Sequence, residues 1–175
     1  DASCYTSAPS SLLFSATRSG NSLAYGVREH GAAAISNGLA QAGLRPFCAT
    51  FLVFSDFMLP AIRLSALASH RVLFIFTHDS LSVGEDGPTH QPVEQLTHLR
   101  DIPNLKVFRP HNDIECQVAL KTFTSVQRPI AMVLSRQRFQ QYLPINDAST
   151  SNHFSSFFVI RASQKPQCVI LSSGA

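Results

Sequence analysis

Short apolar runs alternating with helix-period segments predict an α/β protein, a three-layer α/β/α arrangement around a parallel sheet. Three observations carry this. Val72-Leu73-Phe74-Ile75-Phe76 is continuously apolar, as strands buried on both faces of a parallel sheet are. Helical patterns separate such runs, which is the βαβ rhythm. Two chemically rich segments, His78–His90 and the region of Arg136, each follow a predicted strand, at the edge where open α/β sheets bind ligands.

The elements follow in order. Arg28–Ala42 reads as a helix with a small-residue stripe of Ala32, Ala33, Ile35, Leu39 and Ala40, stopped by Gly43. Phe47–Phe51 is a short strand after Pro46. Ser55 is placed to cap a second helix running to about Ser69, with Pro60 near its first turn. Val72–Phe76 is the next strand. Pro92–Arg100 is helical, Lys106–Phe108 a strand, Asn112–Thr124 a helix and Ile130–Leu134 a strand. From Ser135 to Lys165 the periodicity weakens, with Phe154–Ile160 able to form one strand, and Cys168–Leu171 opens a new apolar one.

The chain has 175 residues, 45% apolar and only 14% charged, which suits a well-buried domain and argues against disorder. The net charge of +3, without a Lys/Arg block or aromatic-basic interleaving, fits anionic small molecules and is too weak to point to nucleic acid. Apolar runs such as Phe51–Phe54 fall far short of the ~20 residues of a membrane span. Cys4, Cys48, Cys116 and Cys168 are widely spaced, which reads as buried or half-buried thiols in a reducing compartment and gives no metal cluster. The first residue is Asp, so a processed or cut start is expected. Residues 1–20 are Ser/Thr-rich and acid-poor, a composition shared with transit peptides.

The loop after Val72–Phe76 concentrates the chemistry. Thr77-His78-Asp79-Ser80 and Gly84-Glu85-Asp86-Gly87-Pro88-Thr89-His90-Gln91-Pro92 place two imidazoles and three carboxylates in one connection. A buried core does not want those groups and a plain turn does not need them. Gly84 and Gly87 serve backbone geometry. Taken singly, other residues have plain readings. Glu29 could be a first-turn carboxylate favouring the helix dipole, Phe51, Phe54 and Phe57 core filling, and Arg136 a surface ion pair.

Six blocks in order make residues from about Ala8 to Gln137 resemble the middle, pyrimidine-binding domain of transketolase. They are Tyr25-Gly26-Val27-Arg28-Glu29-His30, Thr50-Phe51-Leu52-Val53-Phe54, Thr77-His78-Asp79-Ser80, Gly84–Pro92, Ile102-Pro103-Asn104 and Ser135-Arg136-Gln137. The related deoxyxylulose-phosphate synthase shares Gly-Pro-Thr-His but has an Asp-Arg-Ala-Gly type loop where His78-Asp79-Ser80 stands.

The resemblance implies a thiamine diphosphate-binding domain at residues 1–137, a linker at 138–165 and the truncated start of a C-terminal domain at 166–175. It makes Glu29 the catalytic carboxyl group that exchanges a proton with N1′ of the aminopyrimidine, and Phe51, Phe54 and Phe57 the aromatics that hold that ring. It makes His90 a catalytic-pocket histidine relaying protons to sugar oxygens, and Asp86 the group that recognises the acceptor's C2 hydroxyl. His78, Arg136 and Ser10 are placed around the substrate phosphate. The implied activity is transfer of a two-carbon ketol unit from a ketose phosphate to an aldose phosphate, within the pentose phosphate pathway. Cytoplasm is the expected compartment, with the plastid as a second. The implied partners are sugar phosphates and a diphosphate-binding domain of the same protein or a partner subunit in a homodimer, with no nucleic acid and no membrane. Mg2+ or Ca2+ would be held by ligands outside this chain.

Departures from the family pattern exist. Ser3-Cys4-Tyr5-Thr6-Ser7 stands where the family carries Gly-Ser-Ala-Asp-Leu, so an expected Asp is absent. Position 57 is Phe rather than Tyr, Arg138 replaces an Asn, and no Gly-Asp-Gly metal motif is present. These leave an alternative: a non-catalytic, transketolase-like interaction or scaffold subunit. Retention of Glu29, His78, Asp86, His90 and Arg136 together argues against it, because a scaffold has no use for those five.

Overall fold

The computed structural model describes residues 21–137, 167–168 and 173–174. Within them a sheet of four parallel strands has the order β1-β2-β4-β3. The strands are β1 Phe47–Phe51, β2 Leu73–Thr77, β3 Lys106–Phe108 and β4 Ile130–Val133, and the helices are α1 Glu29–Gln41, α2 Ser55–Leu67, α3 Gln95–Arg100 and α4 Asp113–Ser125. Being parallel, all four strands end at one edge, marked by Phe51, Thr77, Phe108 and Val133.

Strand side chains alternate between the two faces of the sheet, and the core divides accordingly. Phe74 and Phe76 join Ala131, Val133, Met58, Ile62 and Leu99 on the side of α1, α2 and α3. Leu73, Ile130 and Met132 meet Ala119 and Phe123 of α4 on the other side. This is the three-layer α/β/α arrangement expected. Every residue of β4 is buried, as a central parallel strand should be.

Helix α1 differs from its expected stripe. Ala32, Ala33 and Ser36 are buried, whereas Ile35 is 43% and Leu39 37% exposed. Small side chains at 32, 33 and 36 share one face at helical spacing and let the helix lie close to α2, while positions 35 and 39 fall at the flank of that face, where it turns toward solvent. Asn37 Nδ2 donates to the Ala61 carbonyl at 2.8 Å, joining the two helices. The stop at Gly43 holds: its φ is +88°, and the Leu44 N–H reaches back to the Leu39 carbonyl at 3.0 Å.

Ser55 is not a cap. A short 3-10 turn, Leu52–Phe54, comes first, so the cap position falls on Phe54 and Ser55 is the first helical residue, with a buried Oγ that has no hydrogen-bond partner. Pro60 then lies one residue deeper than a Ser55 cap would put it, inside α2. The missing donor leaves the Asp56 carbonyl without its usual partner, and the helix continues through it. Asn112 does cap α4, its side chain accepting from the Glu115 N–H at 2.9 Å, while Glu115 Oε2 accepts from the His111 N–H at 2.9 Å. Cys48 is buried and Cys116 half-buried, but Cys168 is exposed, against the expectation of sheltered thiols. Among the described residues no helix is long and apolar enough to cross a membrane. The expected strands at Phe154–Ile160 and Cys168–Leu171, and Ser10, lie outside the described residues or largely so.

Candidate active site

The carboxyl edge of the sheet gathers most of the predicted site. Phe51 ends β1 and is 7% exposed. The 3-10 turn and the start of α2 then carry Phe54 and Phe57 around the corner. Their rings form a run, with Phe51 and Phe54 centroids 6.1 Å apart and Phe54 and Phe57 6.2 Å apart, each pair near parallel at 16° and 28°. Phe57 is 61% exposed, so the run opens to solvent.

Two imidazoles meet these rings. His78, the first residue after β2, stacks on Phe51 with centroids 3.6 Å apart. His90 stands edge-on to Phe54 at 5.3 Å and to Phe51 at 6.1 Å. Each histidine is steadied by its preceding threonine: His78 Nδ1 is 2.9 Å from Thr77 Oγ1 and His90 Nδ1 2.9 Å from Thr89 Oγ1. His78 has φ +59°, a left-handed conformation that costs a non-glycine residue about 1–2 kcal/mol. Such strain persists where surrounding contacts over-determine it and clusters at functional sites.

The loop from Leu81 to Asp86 folds as a 3-10 segment broken at Gly84, whose φ is +84°, and Gly87 follows at +75°. Both glycines therefore occupy backbone that other side chains resist. The loop presents Asp86 to solvent and sets Glu85 Oε1 3.6 Å from Arg136 Nη2. Gln137 ties the same loop to the end of β4, its Nε2 donating to the Ser82 carbonyl and its Oε1 accepting from Ser82 Oγ at 3.3 Å. His78 and Arg136 follow neighbouring strands, and Arg136 and Asp86 lie close enough to His78 to act on its charge.

Burial and the Arg136 charge push the His78 pKa down from its usual 6.5, with Asp86 opposing them. Its neutral form is thereby favoured in the fold. The stability this contributes is full above the ordinary value near 6.5 and is lost as pH falls through the lowered folded value. NMR titration of the His78 ring should show Arg136→Gln raising its pKa and Asp86→Asn lowering it further. Equal pKa values in all three proteins would contradict this arrangement.

Glu29 opens α1 and is half-buried. The helix ends where β1 begins and packs against that strand, so its N-terminus lies toward the same carboxyl edge. The neighbouring Tyr25 hydroxyl donates to the Ala49 carbonyl of β1, and burial, with Cys48 and then Glu29 nearby, raises its pKa above the usual value. Arg28 Nη1 donates to the Tyr25 carbonyl at 3.0 Å.

A family model described as "Transketolase, pyrimidine binding domain" matches residues 3–141. The chain belongs to the transketolase family. Among curated relatives, Transketolase 2 of Xanthobacter flavus is 43% identical over 173 residues, covering 97% of this chain and 25% of that protein. The chloroplastic transketolase of Craterostigma plantagineum is 49% identical over 120 residues, covering 67% and 23%. The solved transketolase of Pichia stipitis in complex with sedoheptulose 7-phosphate superposes with a TM-score of 0.74 at 39% identity, covering 80% of this chain and 22% of that one. The chain therefore spans about a quarter of the length of these transketolases.

Sequence reasoning passed over part of the site. Asp79 has no predicted role of its own, yet it is 6% exposed and paired with Arg109, 2.8 Å to Nη2 and 3.0 Å to Nε. The signal was available, since Arg109 directly follows a predicted strand at the same edge. Tyr25 and Gln137 carried no signal beyond the blocks that contain them, and Ser82 lies in none of the blocks.

Proposed function

We propose that this chain is the pyrimidine-binding part of a transketolase, moving a two-carbon ketol unit from a ketose phosphate to an aldose phosphate. The observation that carries the reading is the aromatic run Phe51–Phe54–Phe57 with His78 and His90 against it, at the edge toward which Glu29 points its helix.

The residues present fit the ring end of thiamine diphosphate. The open ring surface of Phe54 and Phe57 suits a flat heterocycle, and a half-buried carboxyl group at the start of the helix that leads to the same edge suits a ring nitrogen that shares a proton. When bound, the cofactor supplies the carbanion chemistry. Glu29 would hold a proton at N1′, and Phe51, Phe54 and Phe57 would hold the ring. His90 would donate and accept hydrogen bonds at the sugar oxygens. Asp86 accepts from the C2 hydroxyl of the acceptor, selecting its configuration. Arg136 offers its fork to the substrate phosphate together with His78 and Ser10, exchanging its exposed contact with Glu85 for a stronger one. Among the described residues no group of three or more His, Cys, Asp or Glu could hold a metal ion. The Mg2+ or Ca2+ and the diphosphate belong to a second domain, of the same protein or of a partner subunit in a homodimer. Residues 138–165 form the linker and 166–175 the start of a C-terminal domain. The cytoplasm is the compartment of this reading, and the chloroplastic relative supports the plastid as a second.

Ketol transfer between sugar phosphates, measured with the complete protein, tests the reading. Turnover dependent on thiamine diphosphate is expected, and a folded, cofactor-independent or inert protein would favour the scaffold alternative. By itself the 175-residue chain should bind thiamine diphosphate weakly, and micromolar affinity in calorimetry would contradict the division of the cofactor between two domains.

A further inference from the structure

Asp79 and Arg109 have no part in the roles assigned above, yet their pair is the most sheltered ion pair among the described residues, with side-chain exposures of 1% and 19%. Asp79 immediately follows His78, at the end of β2; Arg109 immediately follows Phe108, at the end of β3. In the sheet β4 lies between those strands. Two strand spacings, about 10 Å, are therefore bridged by two side chains. Arg has the reach and the planar fork for this. Nε and Nη2 both donate to Asp79 Oδ2, while Nη1 donates to Ser173 Oγ at 3.3 Å. The guanidinium is held on both sides, and through it the carboxylate.

We propose that the Asp79–Arg109 pair is the clamp that holds His78 in its left-handed pose with the ring on Phe51, making Asp79 and Arg109 positioning residues of the site. The strained residue is His78, at φ +59°. Its ring is fixed by Thr77 and by the 3.6 Å stack on Phe51. Neither contact fixes the peptide after it. Anchoring the next side chain does, because rotating His78 out of the left-handed region would swing Asp79 away from a buried cation. The bond is strong for its surroundings, since a charged pair shielded from water loses little to screening. The functional meaning of the clamp rests on the proposed role of His78, but the clamp itself does not.

The test therefore reads the pose and not the activity. In the wild-type chain the His78 ring protons should resonate upfield, shielded by the Phe51 ring, with cross-relaxation to Phe51. In Arg109→Met, with the fold intact by circular dichroism and by the amide spectrum, that upfield shift and the cross-relaxation should be lost, and Asp79→Asn should lose part of both. Unchanged His78 signals in either folded variant would overturn the clamp. Global unfolding of both variants would also overturn it, since the pair would then support the core instead. A wild-type His78 pose without ketol transfer would sink the functional reading and leave the clamp standing.

Discussion

Glu29→Ala in the complete enzyme should lower the ketol-transfer rate by about 10²–10⁴-fold, the usual worth of a positioned proton-transfer group. The helix would survive the change. Glu29 is the first residue of α1, and Ala is the better helix former. The dipole favours an acid there by only about 0.3–1 kcal/mol. A large rate loss with little stability loss would separate the proton-sharing role from a merely helical one. Activity within a factor of two of wild type at saturating cofactor would remove Glu29 from the mechanism.

The second large effect is on stability. Phe74 is fully buried in β2, between β1 and β4, and packs into the cluster beneath α1 and α2. Phe74→Ala should destabilise the chain by about 3–5 kcal/mol, from lost burial and a residual cavity. Phe47→Ala in β1, where the ring is 69% exposed, should change stability by no more than about 0.5 kcal/mol. Urea denaturation distinguishes the two through the midpoint, with the slope unchanged. Equal shifts would mean that the sheet order or facing is wrong.

Much of the fold was legible because parallel strands buried on both faces leave an unambiguous mark. The run 72–76 is such a mark, and the helix before Gly43 ends where a glycine can turn left-handed. Sequence period failed to separate the buried centre of an apolar helix stripe from its exposed flank. Nothing in Ile35 and Leu39 distinguishes them from Ala32 and Ala33 except size, and close helix packing selects the smaller side chains. The 3-10 turn at Leu52–Phe54 was invisible for a related reason: three apolar residues read equally as strand, turn or helix. It moved the start of α2 and so displaced Ser55 from its cap.

The site was legible as composition and not as geometry. Two histidines and three carboxylates marked the loop, and the strand ends marked its place. Which carboxylate meets which cation was hidden, because Asp79–Arg109 and Glu85–Arg136 each join separate strand ends. Such pairings depend on strand order, and β4 lying between β2 and β3 cannot be read from chain order.

The most direct measurement is a crystal structure of the complete assembly with thiamine diphosphate bound. The carboxyl group at position 29 should lie within hydrogen-bond reach of the pyrimidine nitrogen N1′, with that ring against the phenylalanine run. A Glu29 side chain directed into solvent, with the pyrimidine seated elsewhere, would contradict the account.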